Sequence, residues 1–497
     1  MNKTNWSSLA RNSDHGVYNV INSRRHEVGG EAVIDKHGSR DGSLLYQFGE
    51  GTREDVDEAV AAAKTAFDDG RWSRLSVHHR AAALQKFAEL IEANADELAL
   101  NETLDVGKPI TTSLGVDVPL TASALRSAAD GASKIAGQAA QDGGVFSCTL
   151  RRPIGVCGAI VGWNSPIILA AQKIGPVLAM GNALVLKPSE FTSLSAWRLA
   201  ELALEAGIPE GVFNVVNGSG AIVGDALARH PDVRLLSFTG SSATGKRVQV
   251  AAGESNMKRL ILECGGKSPY VVFDDYGADL DALAKNIVSN SFKNQGALCV
   301  SPSRVLLQRD VKGKLLPRLL EHTKAIEPND PLDPETTFGA IMNEAHMRKV
   351  LDYVQSGLED SSKLLTGGEQ IRQETGGYYL TPAVFDNVKP TARIAREEIF
   401  GPLMSIFTFK TEEEAISLAN DTEYGLAAYA ATGDARRMQR LARDLDVGSA
   451  ILLSTLDVAP GGISFGAEPH KQSGMGIEHG LEGLMAHTVK SQVTMYF

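Results

Sequence analysis

The chain has only four cysteines in 497 residues, at positions 148, 157, 264 and 299, and no two form a Cys-x-x-Cys pair. That scarcity argues against a disulfide framework and a thiolate metal site, and it suits a reducing compartment where thiols stay free. No histidine stands in an H-E-x-x-H or comparable ligand spacing, so no catalytic metal is expected. Long apolar runs are missing too: the most apolar stretches, such as GVCGAIVGW, fall far short of the roughly 20 residues a membrane span needs. The N-terminus, MNKTNWSSLARNSDHG, has neither an apolar core nor a cleavage-site pattern, so no signal peptide is read and a cytoplasmic location is expected. There is no basic cluster and the formal charge is −11, which disfavours nucleic acid or an anionic membrane as partner.

What is present is an ordinary globular composition, 43% hydrophobic and 22% charged, in a chain long enough for two or three domains. Thr52 and Asp55 stand at capping-box spacing before a helix that puts Val56, Val60, Ala63 and Phe67 on one face. A second amphipathic helix is expected over 79–104, with Leu84, Phe87, Leu90 and Ile91 inward. From about residue 155 short apolar runs alternate with helical stretches: GVCGAIVGW, ALVLKP, VFNVVNG, RLLSFTG and RLILECGG read as strands. This is the pattern of a parallel, doubly wound sheet covered on both faces. A second α/β series begins near 268, and 377–408 is richer in strand. The segments 144–156 and 486–497 alternate like an exposed hairpin strand and a terminal edge strand.

Several strand ends carry residues with chemical potential. In LSFTGSSATGKR, Gly240 and Gly245 bracket a strand-to-helix turn, where free N–H groups can meet a phosphate. The spacing imitates a P-loop, but Arg247 replaces the Ser or Thr that would hold Mg²⁺, and a plain glycine-punctuated turn fits equally well. ALVLKPSE ends in Lys187, Ser189 and Glu190; a carboxylate there can accept ribose hydroxyls, while the simpler alternative is a solvated Lys–Glu pair. Asn164 in GWNSP, after Trp163, is either an oxyanion donor or a helix cap. Glu263 in LECGGKSP has room beside Gly265–Gly266 to act as a general base, or it pairs with Lys267. Cys299 lies in FKNQGALCVSPSR, among small and turn-forming residues rather than in an apolar run.

Taken together, GWNSP, LVLKPSE, FTGSSATG, LECGGKSP, NQGALC and EEIFGP resemble the ordered signatures of the aldehyde dehydrogenase superfamily, and they stand in family order over residues 155–402. The helices of 52–104 and the KQSGMG stretch at 471–476 fit the same layout. The resemblance implies a Rossmann-like cofactor domain (1–136 and 157–265), an α/β catalytic domain (266–465) and a small β oligomerisation element (137–156 and 466–497). It implies oxidation of an aldehyde to its carboxylic acid with NAD and water, through a thiohemiacetal and a thioester on Cys299. Glu263 then matches the general base, Asn164 the oxyanion donor beside the Cys299 N–H, and Lys173 a lysine near a proton path. Lys187, Ser189 and Glu190 match the adenosine-ribose contacts; Gly240, Ser241 and Gly245 match the pyrophosphate turn. Trp163, Glu398 and Phe400 match the nicotinamide end, and the small residues around Gly296 read as clearance for substrate and ring. Glu190 favours NAD over NADP, because a carboxylate repels a 2′-phosphate. The expected partners are a small-molecule aldehyde and further copies of the chain, as a homodimer or homotetramer built by strand addition.

Two rivals share the resemblance: a CoA-acylating enzyme, against which Glu263 argues because a CoA thiolate needs no base, and a catalytically silent relative kept for binding. The remaining cysteines read as structural, with Cys264 on the opposite face from Glu263. The chain departs from the family where SFGAEPHKQSG (464–474) replaces the usual Pro-Phe-Gly-Gly-x-Lys, and where Ile477 replaces an Arg before Glu478. The stretches expected to line an access path, 116–124, 163–173, 292–301 and 452–466, mix aliphatic and polar residues and single out no aldehyde.

Overall fold

A computed structural model of the protein describes residues 4–13, 15–456 and 465–497. Its first sheet has eight strands, and five of them form a continuous parallel core: Phe213–Val215, Ala183–Lys187, Val156–Ile160, Val233–Thr239 and Arg259–Glu263, in that spatial order. Every residue of Val156–Ile160 and Ala183–Lys187 is buried, as strands covered on both faces require. In chain order the parallel strands run 3-2-1-4-5, so the winding reverses beside Val156–Ile160, the place where such sheets bind ligands. The carboxyl ends of the strands share one edge. Trp163 and Asn164, Lys187, Gly240 and Glu263 all lie along it.

The expected capping box is present: the Asp55 N–H donates to Thr52 Oγ1 at 3.1 Å and the Thr52 N–H donates to Asp55 Oδ2 at 2.8 Å. Val56, Val60 and Ala63 are buried on the inner face of Arg53–Asp68, with Phe67 partly buried beside them. The single helix expected over 79–104 is two, Val77–Ala93 and Ala95–Val106. Asn94 separates them at φ −107°, ψ 28°, with its side-chain amide donating to the Leu90 carbonyl. The apolar period runs straight through the break, but an Asn that bonds its own backbone competes with the helix ladder.

The second sheet has seven strands and is parallel except at the Lys363–Thr366 edge. The β-rich stretch 377–408 resolves into Tyr379–Leu380, Ala383–Asp386 and the start of Leu403–Phe409, with a short helix at Arg393–Arg396. A third, three-stranded sheet pairs Val145–Pro153 with Ala139–Asp142 on one side and Thr488–Tyr496 on the other, the latter over the full register from Thr488↔Pro153 to Tyr496↔Val145. Within 466–497, Thr488–Tyr496 is the strand that joins this hairpin. His470–Lys471 pairs with Tyr424–Gly425, and Gly474–Met475 closes the first sheet against Leu262 and Glu263. Among the described residues no helix is long and apolar enough to cross a membrane.

Candidate active site

The loop that delivers Cys299 is held in a costly conformation. After Leu280–Phe292, residues Asn294, Gln295 and Gly296 have φ of +51°, +55° and +75°, three left-handed residues in succession. For the two that are not glycine this costs on the order of 1–2 kcal/mol each, so the surroundings must fix it. They do so from the Asn164 turn. Asn294 Nδ2 donates to the Asn164 carbonyl at 2.8 Å and more weakly to Ala297 O, and Asn164 Nδ2 donates to Ala297 O at 3.0 Å. Asn164 therefore spends one amide hydrogen on the nucleophile loop and keeps a second. Gly296 gives clearance to the chain itself, since a Cβ there would overlap the Gly401 carbonyl.

Cys299 is partly exposed, and its thiol is pushed up to about 12 by burial, with the Glu398 and Glu263 carboxylates adding to the effect. The N–H groups of Cys299 and Val300 act on the sulfur in the opposite sense. Without ligands the sulfur is thus a thiol, with two carboxylates near enough to feel it. Glu263 sits at the end of its strand; burial, then the Glu478 carboxylate, pushes its pKa up to about 8, while Lys173 opposes the rise. The alternative pairing of Glu263 with Lys267 is not formed, because the buried Lys267 ammonium has no hydrogen-bond partner among the described residues. Lys173 on helix Pro166–Ala179 is fully buried and meets Glu478 Oε1 at 2.5 Å and Ser237 Oγ at 2.9 Å. Ser237 Oγ in turn donates to Glu478 at 3.0 Å. Burial alone would raise Glu478; Lys173 and these hydrogen bonds hold it below its ordinary value.

The other end of the edge is more open. Lys187 Nζ meets Glu190 Oε2 at 2.9 Å, and the lysine is buried, so this is no solvated pair. Burial raises Glu190, but Lys187 and backbone N–H groups outweigh it and the carboxylate lies below its usual range. The Ser189 hydroxyl accepts from the Phe191 N–H at 3.3 Å and so shapes this turn. Ser241 caps helix Ser242–Gly253, accepting from the Thr244 N–H at 3.3 Å. A Cβ on Gly245 would stand 2.7 Å from Cys264 Sγ, so the helix start is drawn against the sheet. Nearer the nucleophile, Glu398 Oε1 accepts from the Gly266 N–H at 3.0 Å, and Trp163 meets the Phe400 ring edge-to-face at 5.2 Å. These residues fit a dinucleotide: an ionised carboxylate with a buried lysine at one end, a glycine-cleared helix start between, and a carboxylate with aromatic rings at the other.

Sequence reasoning left three participants without a role. Glu478 has its partner Lys173 across 305 positions, and its one legible sign was that it stayed while Ile477 departed from the family pattern. Ser473 Oγ donates to the Gly265 carbonyl at 2.7 Å and accepts from the Gly425 N–H at 2.9 Å, tying the turn after the Glu263 strand to the short Tyr424–Gly425 strand. Asn294 gave no signal beyond its place in NQG. Cys157 and Cys264 are buried and their thiols are pushed up by that burial; Cys148 lies in the hairpin strand. Of the stretches expected to line an access path, residues 457–464 lie outside the described residues.

A doubly wound sheet with a cysteine loop, a buried carboxylate of raised pKa and residues that fit a dinucleotide along its carboxyl edge suits a cofactor-dependent oxidoreductase. The chain matches the aldehyde dehydrogenase family over residues 25–493 and belongs to it. It is similar to an aminoacetaldehyde dehydrogenase of Pseudomonas aeruginosa, 44% identical over 88% of this chain and 86% of that one. It is also similar to the NADP/NAD-dependent aldehyde dehydrogenase PuuC of Escherichia coli, 42% identical over 89% and 88%. The crystal structure of an indole-3-acetaldehyde dehydrogenase complexed with NAD+ covers 99% of each chain at 42% identity and a TM-score of 0.96. The reaction is the oxidation of an aldehyde to the corresponding acid.

Proposed function

We propose that this enzyme works with NAD in preference to NADP, uses Cys299 as its nucleophile and releases the acid by hydrolysis. The observation that carries the reading is the hydrogen-bonded loop that sets Cys299 at the carboxyl edge of the sheet, with Asn294 Nδ2 donating to the Asn164 carbonyl and Asn164 Nδ2 to Ala297 O, along the same edge as the strand that ends in Glu263. As the sulfur attacks the aldehyde carbon, its proton passes to Glu263, the C–S bond forms and the carbonyl π bond opens onto oxygen. The free hydrogen of Asn164 Nδ2 and the Cys299 N–H hold that oxygen in the thiohemiacetal. NAD held at its nicotinamide end by Glu398, Phe400 and Trp163 would supply the hydride acceptor for that carbon, whose oxidation would leave a thioester on Cys299. Glu263, once ionised again, takes a proton from a water that attacks the thioester; the C–S bond breaks, the sulfur regains a proton and the acid departs. Lys173 favours the ionised form of Glu263 and Glu478 opposes it, so the two set the pH at which the base works.

Lys187 and Glu190 hold the adenosine ribose, with Ser189 shaping the turn, and the Glu190 charge disfavours a 2′-phosphate. Gly240, Ser241 and Gly245 take the pyrophosphate; Glu398, Phe400 and Trp163 take the nicotinamide end. The exposed Ala139–Asp142 edge, with Met495, Tyr496 and Phe497 exposed on the strand beyond, supports assembly into a homodimer or homotetramer through this sheet. Because two of the relatives act on aminoacetaldehyde and indole-3-acetaldehyde, acetaldehydes bearing amino or aromatic substituents are the first panel to screen. The decisive experiment supplies aldehyde and NAD without CoA and follows NADH. Sustained turnover is expected, and Cys299→Ala should lose at least about a thousandfold of it while keeping NAD affinity; a single NADH per site in the wild type would end the hydrolytic reading.

A further inference from the structure

Phe400 carries a φ of +59°, in the left-handed region that a bulky L-residue enters only under constraint. The constraint comes from His346. A carbonyl can only accept, so the 2.7 Å contact between His346 Nε2 and Phe400 O has the ring hydrogen on Nε2. The two rings meet at 6.4 Å between centroids, and each stands edge-to-face on Trp163, His346 at 5.1 Å and Phe400 at 5.2 Å. His346 is itself fixed, in the first turn of helix Glu344–Glu359, where its backbone N–H donates to Asn343 Oδ1 at 2.8 Å. Burial pushes the imidazole down to about 4, so the ring is neutral under working conditions and has one hydrogen to give. A narrow cavity lined by His346, Trp163, Asn294, Gln295 and Ala297 joins this cluster to the nucleophile loop.

We propose that His346 is a positioning residue for the cofactor: its Nε2–H latches the Phe400 carbonyl and keeps the Glu398–Phe400 turn in the left-handed form that faces the nicotinamide end. The inference rests on the reading that Glu398 and Phe400 meet the nicotinamide ribose and ring. Without the latch, Phe400 relaxes to a negative φ and takes the neighbouring Glu398 carboxylate off the Gly266 N–H. The latch joins His346 to the Phe400 carbonyl and makes no hydrogen bond to Cys299 or Asn164, so the affinity for aldehyde should be indifferent to the change.

The test measures NAD affinity by titration, KM for NAD and for aldehyde, kcat, and melting temperature in three proteins: wild type, His346→Ala and His346→Gln. In His346→Ala we expect about a tenfold loss of NAD affinity, the size of one ordinary hydrogen-bond contribution, with aldehyde KM and melting temperature unchanged. His346→Gln, whose amide offers an N–H at similar reach, should recover most of that loss. Unchanged NAD affinity in His346→Ala overturns the latch. An equal loss in both variants, or a loss accompanied by a fall in melting temperature, overturns it as well, because either makes the role one of packing. Glu398→Gln and Phe400→Ala, measured alongside, keep the two ideas apart. If they leave NAD affinity untouched, the cofactor reading fails; if they weaken it while His346→Ala does not, the latch alone fails.

Discussion

Two buried lysines, Lys187 at a strand end of the first sheet and Lys173 on the helix Pro166–Ala179 beside it, each hold a glutamate, and the two pairs differ in what they can reach. Lys187 and Glu190 are three residues apart, 2.9 Å between charges, with the Glu190 side chain 26% exposed. Lys173 and Glu478 are 305 residues apart, 2.5 Å between charges, and almost wholly shut off from solvent. The first pair stands at a rim, and its carboxylate stays ionised where a ligand can reach it. The second has no surface to offer, and what it changes is a third group, Glu263. The same two side chains thus present a reachable charge when half-open and act on a neighbouring group when sealed. In a sealed site the field of each charge reaches its neighbours with little screening.

The contrast breaks hardest at the group the inner pair serves. Glu263→Gln should slow thioester hydrolysis by about 10²–10⁴-fold, the usual worth of a positioned base. Acyl-enzyme should then accumulate behind a first NADH burst that is itself slowed, because Glu263 also takes the Cys299 proton, but less than hydrolysis is; rapid-quench kinetics with an unchanged steady state would remove Glu263 from that step. Removing Glu478 tests the tuning itself. Glu263 is an acid with a raised pKa, so its base form gathers as pH rises through about 8 and is lost below it. Glu478→Gln deletes a charge that raises Glu263, so the rise in deacylation rate should move to lower pH. Removing one partner of a buried ion pair typically costs about 3–5 kcal/mol of stability, which denaturant titration would register. A pH profile that does not move would mean that the inner pair is only packing. At the rim the effects should be smallest: Glu190→Gln should shift the ratio of kcat/KM for NADP over NAD upward by about tenfold, with little change in melting temperature. An unaltered ratio would place the ribose elsewhere.

The parallel sheets were readable because their strands are short apolar runs set between helices, a pattern that needs no long-range information. The same holds for the capping box at Thr52, where three residues settle the matter. Helix 79–104 misled because Asn94 breaks the backbone without breaking the apolar period. Within the site, the family motifs brought Cys299, Glu263, Asn164 and Glu398 to notice one by one. What they touch was not legible. The Lys173–Glu478 contact, the Ser473 bridge and the His346–Phe400 hydrogen bond join residues 305, 208 and 54 positions apart. None of these partners has a spacing that repeats or a composition that stands out. The raised pKa of Glu263 follows from burial and a carboxylate on a distant segment, so it too had to wait for the fold.

The strap that carries Ser473, Gly474 and Glu478 also has a position in time. A ribosome makes the nucleophile loop, the Asn164 turn and the cofactor cradle before it reaches residue 473. Until that stretch emerges, the strand ending in Glu263 lacks its neighbour, the Gly265 carbonyl lacks its donor and Lys173 lacks its counter-charge. A nascent chain therefore holds Cys299 before the surroundings of Glu263 are complete, and closing the Lys173–Glu478 pair is one of the last acts of synthesis. Loss of the chain from residue 473 onward should therefore silence turnover, even where the five parallel strands of the first sheet and the whole second sheet survive.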